Sequence, residues 1–151
     1  MADGKFTLLL RLAGEKVEAA GERMRRAQAL AVQAQGKMSQ LDAFLSEYQQ
    51  RLRDGGMRGM SISQWQDFQR FLARLQEAVQ VQRGETDHAV QRFLLERQAW
   101  QDERKRLKAF EKLDEREAAR LALAEARRSQ KATDEFATRR FWDSQQVRDE
   151  D

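Results

Sequence analysis

The chain has 151 residues, with 28 Lys and Arg against 25 Asp and Glu and a formal charge of +3. Hydrophobic residues make up 40% and charged residues 35%. That mixture is too polar for a thick globular core but ample for helices that bury one narrow stripe. The absence of cysteine excludes disulfides, thiolate metal sites and cysteine nucleophiles, and no proline is present to break a helix.

Ala, Leu, Gln, Glu and Arg dominate while β-branched residues are scarce, so an all-α chain is expected. Basic and acidic residues alternate along the sequence instead of gathering one sign on one face, which argues against nucleic acid as a ligand. The apolar run from Phe6 to Leu10 lacks a basic flank and is far too short for a signal or a membrane span. A cytosolic protein that does not span the membrane is the expectation.

The first helix is predicted over about 5–53. Its heptad a positions are Leu10, Val17, Met24, Ala31, Met38, Leu45 and Leu52, and its d positions are Phe6, Ala13, Ala20, Ala27, Ala34, Leu41 and Tyr48. The register never slips, which points to a coiled coil rather than an ordinary surface helix. A loop at about 54–61 follows, marked by Gly55, Gly56 and Gly59. Ser61 with Gln64 reads as a capping box, with Met60 stapled to Trp65; Ser63 with Gln66 fits equally well.

The second helix is predicted over about 62–139. Its a positions are Trp65, Leu72, Val79, Thr86, Phe93, Trp100 and Leu107, and its d positions are Phe68, Leu75, Gln82, Ala89, Glu96, Glu103 and Phe110. The d series turns polar in mid-helix, Gly84 is a weak point, and the seam ends near Leu113. Residues 143–151 read as a frayed acidic tail. The whole, 1–151, is expected to form a single domain.

Side-chain size decides between a hairpin and a dimer. If the helices fold back with Leu52 against Phe68, then Tyr48 meets Leu72, Leu41 meets Val79, Ala27 meets Phe93, Ala20 meets Trp100 and Ala13 meets Leu107. Each alanine then faces a large residue, as close packing requires. A parallel homodimer through the first helix would instead stack alanine on alanine. An antiparallel coiled-coil hairpin is therefore expected, monomeric on its own, with the second helix overhanging at the C-terminus. Glu96 near Met24 and Glu103 near Val17 should form its weakest layers, tolerable because their heads can reach water.

No catalytic, cofactor-binding or metal-binding constellation is present. The one histidine, His88, takes a c position on the expected solvent face, and Gly14-Glu15-Lys16 lacks the spacing of a phosphate loop. A non-enzymatic protein without cofactors is expected, its function carried by shape and contact. Two surfaces invite partners. Phe44 and Phe71 occupy g positions on one flank near the loop, either widening the core stripe or forming a docking patch. Beyond the residue opposite Phe6, the second helix has no intrachain partner, although Leu121, Leu123 and Phe136 lie on different sides of it.

The chain resembles the flagellar export proteins of the FliJ family and their relatives in virulence type III secretion. The resemblance rests on the length, the central loop, the restart Trp65-Gln66-Asp67-Phe68-Gln69-Arg70-Phe71, and two C-terminal motifs. These are Leu113-Asp114-Glu115-Arg116 and Gln130-Lys131-Ala132-Thr133-Asp134-Glu135-Phe136-Ala137-Thr138-Arg139. It implies a coiled coil similar to the rotor stalk of rotary ATP synthases. Implied partners are the hexameric flagellar export ATPase, the cytoplasmic domain of the export-gate membrane protein, and export chaperones. The implied location is cytoplasmic, peripheral at the inner membrane beneath the flagellum. Positions matching the family's gate surface are Leu41, Phe44, Tyr48, Phe71, Leu75 and Ala78, while Gln82 stands where some members place histidine. For the ATPase the candidates are Leu121, Leu123, Arg127, Gln130, Lys131, Asp134, Glu135 and Phe136. A homo-oligomeric coiled-coil scaffold and a basic helical nucleic-acid binder are the alternatives from other classes.

Overall fold

The computed structural model describes residues 4–55 and 58–150. It contains two helices, α1 (Thr7–Arg53) and α2 (Ile62–Asp149), and no strand among the described residues. The chain comprises two compact units. The central unit is Gly14–Lys105, and the other joins the N-terminal residues through Ala13 to those from Arg106 onward. In a helix pair, contacts reach only a turn or two along the chain, so nothing fuses successive layers into one core.

In the central unit the helices pack antiparallel on the expected register. Thr86 Oγ1 lies 3.2 Å from the Ala34 carbonyl, and the same offset sets Ala20 opposite Trp100. Ala20 is fully buried, with Ala27, Ala31 and Val79 also buried. Gly21 contributes something the heptad pattern did not flag. A methyl group there would come within 3.4 Å of the Trp100 indole nitrogen, so Trp100 packs directly against the α1 backbone at this glycine. Arg104 covers the Trp100 ring, 4.7 Å from its centroid.

Two polar layers interrupt this seam, and each is satisfied. The Gln82 amide donates to the Ala34 carbonyl at 3.3 Å and lies 3.4 Å from the Thr86 hydroxyl. Thr86 Oγ1 is also 2.8 Å from the Gln82 carbonyl of its own helix. Glu96 differs from expectation. Its side chain is only 13% exposed, and its two oxygens are held by Arg23 at 3.3 Å and Arg92 at 3.0 Å. Arg23 reaches across the seam from its g position on α1, and Arg92 folds onto the carboxylate from one turn earlier on α2.

The loop end follows from glycine and serine chemistry. Gly55 and Gly59 adopt φ of 78° and 83°, a region that other residues enter only with strain. Gly56 and Met57 lie outside the described residues. Of the two candidate caps, Ser61 with Gln64 forms: the Gln64 N–H donates to Ser61 Oγ at 3.1 Å, and the Ser61 N–H donates to Gln64 Oε1 at 3.0 Å. Trp65 is 39% exposed although it holds an a position, because its layer falls where α1 has already ended.

In the other unit, Ala13 is buried and Phe6, Leu107 and Phe110 are half-buried. The Arg120 hydrogen bond to Glu117, 2.8 Å long, holds that carboxyl below its ordinary pKa, with a smaller contribution from Lys5. Further along, only Ala124 is partly covered, and every described residue from Glu125 to Glu150 is exposed. Helix α2 nevertheless passes the expected end at 139 and reaches Asp149, so the expected frayed tail from 143 is helical through that residue. No glycine or proline follows Gly84, and local bonds support the exposed turns: Gln130 to Asp134 at 3.0 Å, Thr138 to the Asp134 carbonyl at 2.8 Å, and Ser144 to the Phe141 carbonyl at 2.8 Å.

Because Ala20 has no free space around it, Ala20→Trp should overpack its layer and cost about 1–3 kcal/mol, read as a lower urea midpoint at unchanged slope. An unaltered midpoint would mean that the helices are not in contact there.

Candidate functional site

Near the loop, the expected gate surface is a strip on the flank of the central unit. Tyr48 is half-buried and meets the Phe71 ring edge-on at 4.9 Å and the Phe68 ring at 6.1 Å. Arg51 caps its other side at 5.4 Å. Phe71 keeps 43% and Phe44 keeps 53% of its surface exposed, too much for either to be counted as core. Leu41 and Leu75 are half-buried and form the floor toward the seam, while Ala78 is exposed. Leu41 and Ala78 also line a cleft of about 440 Å³ with Val81 and Gln82. Val81, 58% exposed, adds apolar surface that the sequence reading passed over, since its c position read as solvent face.

Gln82 plays a different part from the residues around it. It is 9% exposed and its amide points inward to Ala34 and Thr86. Its side chain is thus committed to the seam.

The second set of candidates lies on the exposed length of α2. Arg127, Gln130, Lys131, Asp134 and Glu135 share one face and line a shallow groove of about 560 Å³, joined by Thr138 and Arg139. Their spacing of three and four residues is that of one helical face, and Leu123 continues it. Leu121 is turned about 200° away from Leu123 at roughly 100° per residue, and Phe136 falls nearer to Leu121. The three apolar residues are 53–61% exposed, so they ring the helix rather than forming one stripe. Phe141, Trp142 and Val147 extend this pattern, 58–64% exposed, with the two rings 6.2 Å apart. Phe141 and Trp142 lie past the helix end expected at 139 and Val147 in the expected tail; Phe136, Phe141 and Trp142 in one short segment were the available signal.

Among the described residues, no helix is long and apolar enough to cross a membrane, and no group of three His, Cys, Asp or Glu could hold a metal ion. The exposed surface is aromatic near the loop and mixed apolar and charged near the C-terminus.

Comparison with known proteins bears out the family resemblance. Residues 1–146 match the family model described as flagellar FliJ protein. The flagellar FliJ protein of Escherichia coli (strain K12) is 29% identical over 136 residues, covering 90% of this chain and 92% of the relative. That of Salmonella typhi matches to the same extent, 29% over 136 residues. A match along nearly the whole chain, with both helices and the loop between them included, establishes that the chain belongs to the flagellar FliJ family.

Proposed function

We propose that this chain is the helical linker of a flagellar type III export machine, working by binding rather than by catalysis. Family membership supports a component of the flagellar export apparatus. The observation that carries the finer reading is the uncovered helix from Glu125 to Glu150, which keeps exposed Phe136, Phe141 and Trp142 without an intrachain surface to cover them. A helix with apolar groups on several sides is completed by being surrounded.

In this reading the surrounding body is the hexameric export ATPase. Leu121, Leu123 and Phe136 bury apolar area against its subunits, while Arg127, Gln130, Lys131, Asp134 and Glu135 supply polar contacts that orient the helix. Mixed signs suit several similar neighbours better than one dominant ion pair would. Binding the assembled ring more tightly than free subunits promotes assembly without further machinery. The aromatic strip of Leu41, Phe44, Tyr48, Phe71, Leu75 and Ala78 serves the export gate, and chaperones of exported subunits engage the same protein. The place of action is the cytoplasmic face of the inner membrane at the flagellar base.

Ending the chain after Arg120 removes the uncovered helix and keeps the Arg120–Glu117 pair. Helicity per residue and the urea midpoint should stay near those of the full chain, while stimulation of the cognate ATPase and its hexamer formation drop sharply. Full stimulation by the shortened protein would move ATPase docking elsewhere. For the gate, Phe44→Ala with Phe71→Ala should weaken binding of the gate's cytoplasmic domain by more than about 1 kcal/mol at normal helix content. Unchanged affinity and motility would return both rings to packing.

A further inference from the structure

A cleft of about 320 Å³ lies on the central unit, away from the aromatic strip. Its walls are Arg23, Arg26, Ala27 and Leu30 of α1 and Arg92 and Glu96 of α2. Three guanidiniums and a single carboxylate line it, and that carboxylate is already occupied, one oxygen by Arg23 and the other by Arg92. Arg26 makes no ion pair or hydrogen bond among the described residues. The neighbouring acid Glu22 is engaged with Arg25 at 3.3 Å. Beside this cationic excess, Leu30 is 60% exposed. It continues the g row of α1 that carries Phe44, about 21 Å away at 1.5 Å per residue.

Most surface arginines are simply solvated. This group differs in being concave, in its surplus of guanidinium over carboxylate, and in its apolar floor. Guanidinium is weakly hydrated and forms paired hydrogen bonds with a carboxylate, so an arginine with no partner at the edge of such a cleft is a ready acceptor site for an acid. We propose that the cleft docks an acidic amphipathic helix of a partner protein. A Glu or Asp of that helix pairs with Arg26, and an aliphatic residue three or four positions away covers Leu30 and Ala27. A phosphate dianion fits poorly, because Glu96 stands among the cations and much of the remaining lining is hydrocarbon. A nucleic-acid backbone fits poorly too, since Glu96 and nearby Glu22 and Glu85 break the basic run. The proposal does not depend on the assignment of the ATPase or the gate.

The test uses the full chain and a fluorescein-labelled synthetic helix of Glu and Leu spaced at i and i+4. Titration by anisotropy and by amide NMR shifts should show saturable binding, with perturbations centred on residues 23–30 and 92–96. Affinity should fall about tenfold in Arg26→Glu, a substitution that removes no intrachain bond, and Leu30→Glu should weaken it as well. Arg11→Glu, an exposed position near the start of α1 with no role in either proposed interface, should leave it unchanged. The same peptide with Lys in place of Glu should bind Arg26→Glu better than the parent. Shifts centred elsewhere, displacement by inorganic phosphate at matched ionic strength, or indifference to Arg26→Glu would each overturn the assignment.

Discussion

The packing of a column of small residues on α1 against large residues on α2 is the constraint on which the rest depends. With Ala13, Ala20, Ala27 and Ala31 all buried, the α1 backbone comes close enough for Trp100 and its neighbours to span the seam. Close approach in turn brings the Ala34 carbonyl within reach of Gln82 and Thr86, and Arg23 within reach of Glu96. Larger side chains in the column would hold the helices apart and break these polar contacts together with the packing.

A core one residue thick has consequences for polarity. Among the described residues, no large side chain is fully buried, so a polar group in the seam is never far from its edge. Glutamine and glutamate are tolerable there provided that a partner arrives from a flanking position, as Thr86, Arg23 and Arg92 do. No buried side-chain nitrogen or oxygen among the described residues is left without a hydrogen bond, the condition under which a polar layer costs little. Buried polar groups in coiled coils can also specify register, and the Gln82–Thr86–Ala34 layer ties a side chain of one helix to the backbone of the other.

The same thinness leaves surface for function. Phe44, Phe71 and Val81 flank the seam because a two-helix core has room only for the a and d rows. On the uncovered part of α2 there is no seam at all, and Leu121, Phe136 and Trp142 face solvent. The stability of the isolated chain does not account for these residues, and the proposed contact roles rest on that.

The sequence by itself determined the helical class, the break at the glycines, the capping serine within one alternative, and the hairpin register. Each depends on local rules or on a periodicity that a linear reading captures: 3.6 residues per turn, the φ freedom of glycine, and matched side-chain sizes. The aromatic strip was legible for the same reason, since Phe44 and Phe71 stand beside the seam in any heptad count. Only the tertiary structure decided the environments of Glu96 and Gln82. Whether a seam carboxylate is held by a guanidinium of the opposing helix as well as by one of its own, and whether an amide faces outward or toward an opposing carbonyl, depends on groups that the fold brings from the other helix. The closeness of Gly21 to Trp100 and the gathering of Arg23, Arg26, Arg92 and Glu96 on one cleft were hidden for that reason too. The continuation of α2 to Asp149 lay between the two: no breaker forbade it, but the local bonds that carry an uncovered helix through its last turns became visible only once the backbone was in place.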